Sequence, residues 1–484
     1  MQGNDCARAQ KRIYLIAKNT PARWRCLNKT KKSERTHSMY LEIPKAVSII
    51  LHTLNEAGHE AYAVGGCVRD AMLGRTPEDW DITTSAQPQQ VKELFRRTVD
   101  TGIQHGTVTV LIQDGGYEVT TYRIDGSYED GRHPTQVSFT SLLSEDLRRR
   151  DFTINAMAYH PEEGLIDLYG GQQDLANRII RAVGVPEERF QEDALRIMRA
   201  IRFAAQLNFD IEPDTFQAIR KFAERLELIS RERIQVEMTK LLKSAHPEKF
   251  RLFYETGITA ILFPEFDEMM TMPQNNPYHC YSVGEHTLHT MMAVEADPVL
   301  RWTALLHDVG KVRTRSTDEN GIDHFYGHGK ESSEMARVFL RSLKFDNTTV
   351  DAVKVLTRYH DYHFDMTAAG LRKAIHKVGE DYFPLLLKII YADTMAKSDY
   401  AKERLLPSYE KVCALYEESL AAQDCVSLKT LAVKGKDLID AGVKPGPQMG
   451  EILNQMLERV LDDPDLNTKE ALLALLPELH TSLH

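Results

Sequence analysis

Cysteine is scarce in this chain, with six among 484 residues. Cys6, Cys26, Cys67, Cys280, Cys413 and Cys425 are scattered and form no CxxC pair. That spacing argues against a disulfide framework and for a reducing, cytoplasmic compartment. Long hydrophobic runs are missing too. None reaches the ~20 residues that cross a bilayer, so no transmembrane helix and no membrane partner are expected. Excess positive charge is also absent, the formal net charge being −10. This excludes nucleic-acid binding by bulk charge, but not by a local basic stripe. Such stripes exist. Arg148, Arg149 and Arg150 are consecutive, and Arg196, Arg199 and Arg202 recur at helical spacing. What is present is ample apolar content, 42% of the chain, enough for packed cores and about two to four domains. Residues 1–38 are rich in Lys and Arg against Asp5 and Glu34. They lack the apolar core of a secretory signal and read as a basic, disordered extension, with Met39 a natural functional start.

Periodicity then divides the chain. Between Tyr40 and His59, apolar Ile43, Val47, Ile50, Leu51 and Leu54 recur at helical spacing. Ala61–Val64 predicts a short strand. Asp81–Thr83, Thr107–Ile112 and Tyr117–Tyr122 predict further strands, rich in Val, Ile and Thr. Asp114, Gly115 and Gly116 predict the hairpin turn between the last two. Helices beside a small mixed sheet give an α/β head to about residue 170. Downstream, the segments 192–207, 213–228 and 234–242 are strongly helical in pattern. Residues 275–277 break the pattern, and a histidine-rich helical region covers about 280–400. The last segment runs from about 401 to 484.

The string AVGGCVRDAMLGRTPEDWDITTSA (63–86) carries the first chemistry. On an extended strand, residues i and i+2 face one way, so Asp79 and Asp81 can share hard cations, and Mg²⁺ favours carboxylate plus substrate phosphate. Gly65 and Gly66 let backbone amides approach a triphosphate. Arg69 adds a phosphate-binding cation. The whole string resembles the signature of the polymerase β-type nucleotidyltransferases, in the tRNA nucleotidyltransferase/poly(A) polymerase branch. That resemblance implies two Mg²⁺ ions on Asp79 and Asp81, one activating a 3′-hydroxyl and one stabilising pyrophosphate. Such sites usually hold a third carboxylate, for which Glu118 is the candidate.

DLRRRDFTINAMAY (146–159) resembles the family motif that reads the ribose. By that resemblance Arg150 contacts phosphate, Asp151 accepts from a 2′-hydroxyl, and Asn155 buttresses the turn. EDALRIMRAIRFAAQLNF (192–209) places Asp193 and Arg196 three apart on a predicted helix. An intrahelical salt bridge is one reading. The family reading is a protein template for the incoming base. Cytosine and adenine both show a donor beside an acceptor, which suits a carboxylate next to an arginine, whereas guanine and uracil show the reverse order. Arg199 and Arg202 continue that face toward nucleotide or primer. DGSYEDGRHPTQV (125–137) reads as a loop and resembles the one that supports the switch from C to A addition. ERIQVEMTKLL (232–242) resembles the family's neck helix.

A histidine series follows in GEHTLHTM (284–291), RWTALLHDVGK (301–311), DHFYGHGKE (323–331), TRYHDYH (357–363) and YADTMAKS (391–398). It resembles the HD phosphohydrolase superfamily. His286, His307, Asp308 and Asp393 match its core metal set, and His328 and His360 its extra ligands. Imidazole plus carboxylate suits Mn, Fe, Ni, Co or Zn without deciding among them.

The chain is therefore identified as resembling the class II, bacterial-type CCA-adding tRNA nucleotidyltransferases. The expected fold is α+β: a small mixed-sheet polymerase β-type head (39–170), then an all-α neck (171–250), HD body (251–400) and tail (401–484). The resemblance implies tRNA as partner, CTP and ATP as substrates, and no DNA. Two other readings stand beside it. One is a poly(A) polymerase or A-adding enzyme, and the other is an HD phosphohydrolase whose head only binds nucleotide.

Overall fold

A computed structural model describes residues 41–113, 115–125 and 137–481. The basic segment 1–38, Asp114 and nearly all of the loop 125–137 lie outside the described residues. The described chain falls into two compact units, one ending at Leu175 and one running from Ala176 onward.

The first unit is built on a seven-stranded sheet of order β3-β4-β5-β2-β1-β8-β9. Its strands are β1 (Ala61–Val64), β2 (Ile82–Thr84), β3 (Thr98–Gly102), β4 (Thr107–Ile112), β5 (Gly115–Thr121), β8 (Met157–His160) and β9 (Gly164–Asp167). The pair β6 (Arg123–Asp125) and β7 (Val137–Phe139) forms a separate ribbon. Only β2 and β5 run parallel; the other pairs are antiparallel. β1 is buried at all four positions, as expected of a central strand covered on both faces. The helix Lys45–Glu56 lies against β1 and β2 and buries Val47, Ile50, Leu51 and Leu54. Each contributes about 1.5–3 kcal/mol relative to exposure. β4 alternates, burying Val108 and Val110 while its other residues are less covered.

Three expectations shift here. β5 starts at Gly115, which pairs with Ile112. Gly115 and Gly116 thus belong to the strand, and the turn falls before them, with Gln113 at φ 54°. The aspartates expected on or beside a strand lie in the segment just before β2. The helix expected over 192–207 is broken. Pro186–Glu192 ends at Asp193 (φ −138°, ψ 105°), and a second helix runs Leu195–Leu207.

The second unit is nearly all helical. Pro213–Phe222 continues as a 3₁₀ turn to Leu228, shorter as an α-helix than the pattern 213–228 predicted. Arg231–Leu242 follows. Short strand pairs are β10 (Ile179–Ile180) with β11 (Asp210–Ile211) and β12 (Ser316–Thr317) with β13 (Asp323–His324). A continuous apolar core including Leu371, Phe383, Leu386, Leu438, Ile452 and Leu472 joins helices from both sides of residue 400. No helix among the described residues is long and apolar enough to cross a membrane.

Candidate active sites

In the first unit, β1 feeds a turn at Gly65 (φ 86°) and the helix Gly66–Met72 begins. A Cβ on Gly65 would stand 3.0 Å from Arg150 Nη1. Glycine is therefore required both for the left-handed backbone and for the guanidinium beside it. The amide of Val64 donates to the Asp81 carbonyl (3.0 Å). The parallel register Ile82↔Val119 sets Asp81 next to Glu118 along the strand entrance.

The electrostatics confirm the grouping. Desolvation raises the pKa of Asp81; Arg150 opposes that and Asp79 adds to it. Glu118 is raised by desolvation, then by Asp81 and Asp79. Asp79, Asp81 and Glu118 are all exposed to solvent. Asp79 disfavours charge on Asp81, and both disfavour it on Glu118, a strain that a hard cation relieves.

The ribose-reading motif is pinned by a network. Asp151 Oδ1 accepts from the Phe152 amide (2.8 Å) and from Asn155 Nδ2 (3.1 Å). Asn155 Oδ1 accepts from Arg69 Nη1 (2.7 Å). Arg69, buried, also donates Nε and Nη2 to Asp70. It buttresses Asn155. Sequence reasoning missed Asp146. This fully buried carboxylate pairs with Arg149 (2.6 Å) and Arg150 (3.2 Å) and accepts from Thr83 (3.1 Å). Burial alone would raise its pKa, but the two arginines hold it below the usual range. Its i+3 and i+4 spacing to those arginines in DLRRRD was the available signal.

In the second unit, Asp193 caps the helix Leu195–Leu207, its Oδ1 accepting from the Leu195 amide (2.9 Å). Its Oδ2 pairs with Arg233 (3.3 Å). Arg196 is buried and donates to Glu192 (2.6 Å). The two residues are thus neighbours across a helix junction rather than on one helix face. Arg199 lies by the Phe203 ring, 5.3 Å from its centroid. Arg202 is buried against Glu237 and donates to Gln206 (2.7 Å). It fastens the helix Leu195–Leu207 to Arg231–Leu242.

All six residues of the histidine series come together. His307 caps the end of the helix Pro298–Leu306, one residue past the apolar helix it was expected to occupy. His286 Nε2 lies 2.9 Å from Asp393 Oδ1 and 3.6 Å from Asp308 Oδ2. His307 Nε2 is 3.3 Å from Asp308 Oδ2 and 3.3 Å from His286 Nε2. On the other oxygen, His328 Nε2 and His360 Nε2 lie 3.4 and 3.5 Å from Asp308 Oδ1 and 3.1 Å from each other. Asp308 is shared by two groups with metal-holding geometry. Each ring's Nδ1 faces a backbone carbonyl: Ala396, Ala304, Phe325 and Thr357 respectively. Donation there fixes the tautomer and leaves the Nε2 lone pairs converging. Asp308 Oδ1 is buried without a hydrogen bond. Facing lone pairs around an orphaned carboxylate oxygen fit a bound cation. Burial lowers the pKa of His286, and burial and His360 lower that of His328 to about 4. His360 is pulled upward by Asp308 despite burial. Lys311 lies 2.7 Å from Asp308 Oδ2, the oxygen that His286 and His307 also face, and Lys397 lies 2.6 Å from Asp393 Oδ2, the oxygen turned away from the histidines.

Residues 61–181 match the poly(A) polymerase head domain, 208–270 the "probable RNA and SrmB-binding site of polymerase A", and 316–476 the tRNA nucleotidyltransferase domain 2. A CCA-adding enzyme of Levilactobacillus brevis is 39% identical over 425 residues, covering 88% of this chain and 95% of that enzyme. The chain belongs to the CCA-adding enzyme family. A second CCA-adding enzyme, from Ligilactobacillus salivarius, is 38% identical over 435 residues, covering 89% of this chain and 95% of its own length. The CCA-adding enzyme of Bacillus stearothermophilus, solved with CTP, is 33% identical with a TM-score of 0.68. The likeness covers 90% of this chain and 97% of that one. Family membership accounts for the first unit and the helices after it.

Proposed function

We propose that this chain adds CCA to the 3′ end of tRNA from CTP and ATP, without a nucleic-acid template, in the cytoplasm. The observation that carries this reading is the register that sets Asp81, two residues from Asp79, beside Glu118, in a chain 39% identical to a CCA-adding enzyme. Asp79 and Asp81 would hold Mg²⁺, and the repulsion they exert on Glu118 fits that role. When bound, Mg²⁺ activates the attacking hydroxyl and neutralises charge on the leaving pyrophosphate. The chain's own residues position the reactants. Arg150, with Nε buried and unpaired, keeps hydrogen-bonding capacity for a phosphate oxygen. Asp151, locked by Asn155 and Arg69, presents a fixed acceptor to a ribose hydroxyl. Asp193 and Arg196, held by Arg233 and Glu192, offer an acceptor and a donor to cytosine or adenine. A base that leaves that pair unsatisfied is rejected strongly. Converting Asp79 and Asp81 together to Asn should abolish nucleotide incorporation with folding intact; retained incorporation would refute the assignment.

A second reading is favoured by the four converging imidazoles around Asp308. They and Asp393 would hold one or two first-row transition ions, drawn from Mn, Fe, Ni, Co and Zn, in an HD-type phosphohydrolase centre. Such ions, when bound, supply an activated water for phosphate-ester hydrolysis. Replacing His307 and Asp308 with Ala should strip metal and phosphohydrolase activity while sparing CCA addition. Loss of CCA addition in the folded double variant would refute the separation.

A further inference from the structure

Asp146 lies in the short helix Leu143–Arg148 and is wholly buried. A buried carboxylate persists only where donors meet its oxygens, and here the two oxygens divide the work. Oδ1 accepts from Nε (3.0 Å) and Nη2 (2.6 Å) of Arg149. Oδ2 accepts from Arg150 Nη2 (3.2 Å) and from the Thr83 hydroxyl (3.1 Å). That hydroxyl lies farther from the Thr120 carbonyl (3.3 Å). Thr83 stands on β2, two residues beyond Asp81. One buried carboxylate therefore joins the motif that carries Asp151 to the strand that follows Asp79 and Asp81.

The consequence falls on Arg150. A guanidinium is a rigid plane, so holding Nη2 sets the direction of its other nitrogens. Nη1 then stands over the glycine turn, 3.0 Å from where a Cβ on Gly65 would be. Nε is buried with no hydrogen-bond partner. The same charge reaches Asp81 and favours its ionised form. A fixed arginine has lost most of its rotamer freedom. The contact with Asp146 imposes that loss before a nucleotide arrives, which is preorganisation.

We propose that Asp146 is a positioning residue for nucleotidyl transfer: it aims Arg150 across the Gly65 turn at the phosphates of the incoming nucleotide, without touching them itself. The inference rests on the reading above that the first unit performs nucleotidyl transfer. A plain brace for the ribose-reading motif would use the same contacts but has different kinetics. An aimed guanidinium binds phosphate in the ground state and the transition state alike, so its loss raises KM and leaves kcat nearly unchanged. A failed brace would also disturb Asp151, and with it the preference for ribose.

The test uses the full chain, Mg²⁺, a tRNA transcript ending at the discriminator base, and CTP or dCTP. Circular dichroism checks that each variant is folded. Asp146→Asn should raise the KM for CTP about ten- to a hundredfold, the effect of losing one charge-assisted contact, with the ratio of CTP to dCTP use unchanged. In an Arg150→Met background the same substitution should add less than about twofold, because the group it aims is gone. Thr83→Val keeps every charge and should raise the same KM about two- to tenfold. It decides the matter even where Asp146→Asn does not fold. An unchanged KM in a folded variant, additive losses with Arg150→Met, or a shift in the CTP to dCTP ratio as large as the change in KM would make Asp146 a brace and overturn this proposal alone. A parent protein that incorporates no nucleotide would overturn the nucleotidyl-transfer reading, and this proposal with it.

Discussion

Glu118 and Asp81 share a consequence that single residues can test. Both pKa values are raised, first by desolvation and then, for Glu118, by the other two carboxylates. Protons therefore compete with Mg²⁺ at a higher pH than ordinary carboxylates would allow. Incorporation measured against pH should fall on the acid side, and the fall should move to lower pH as Mg²⁺ is raised. A pH profile insensitive to Mg²⁺ would contradict this. Glu118→Gln should cut incorporation about 10²–10³-fold, the usual effect of one electrostatic group in a preorganised site. A kinetic loss of less than a few-fold would return Glu118 to being an ordinary strand residue. Asp146 runs the opposite way. Its folded pKa is lowered, so its stabilisation is present above about 3.9, the value of free aspartate. That stabilisation is lost as pH falls through the folded value. Asp146→Asn breaks a buried pair with two arginines and should cost about 3 kcal/mol, read from urea unfolding at pH 7. As pH falls through that folded value, the variant and the parent should converge.

At the scale of elements, legibility followed pattern strength. Ala61–Val64 and Thr107–Ile112 were read at their observed bounds because compact β-branched and apolar runs between turn residues leave little choice. β8, which is buried along its whole length, does not alternate and was not foreseen. The break at Asp193 was hidden because the apolar period of 192–207 runs straight through it. Only the preference of Asp for caps hinted at a junction. The pairing of Arg69 with Asp70 and of Arg202 with Glu237 was hidden for a related reason: motif spacing shows that a cation is present, not which carboxylate it faces. Gly310 illustrates a constraint that only packing reveals. A Cβ there would meet Ser332 N at 2.5 Å and His328 O at 2.6 Å, on the helix His328–Ser342 that starts with a cluster ligand. Gly310→Ala should cost about 1–3 kcal/mol of overpacking and lower bound metal per chain. Full metal content at unchanged stability would count against that constraint.

At the scale of the molecule, the sequence separates the two chemistries and the structure places them in different compact units. The carboxylate trio lies before Leu175, and the histidine cluster after Ala176. The acidic net charge did not obscure the reading, because the deciding cations are few and local. The head motifs were legible because nucleotidyl transfer demands fixed residue types at short spacing. The histidine cluster was legible only as an ordered series, since its ligands are spread over 108 positions, from 286 to 393. The central claim is CCA addition. It is tested most directly with purified protein, Mg²⁺ and a tRNA transcript ending at the discriminator base, supplied with each labelled NTP singly and then with CTP and ATP together. The account predicts two additions with CTP, a third only when ATP joins, and none with GTP or UTP. Incorporation of A alone, long A tails, or no incorporation at all would contradict it.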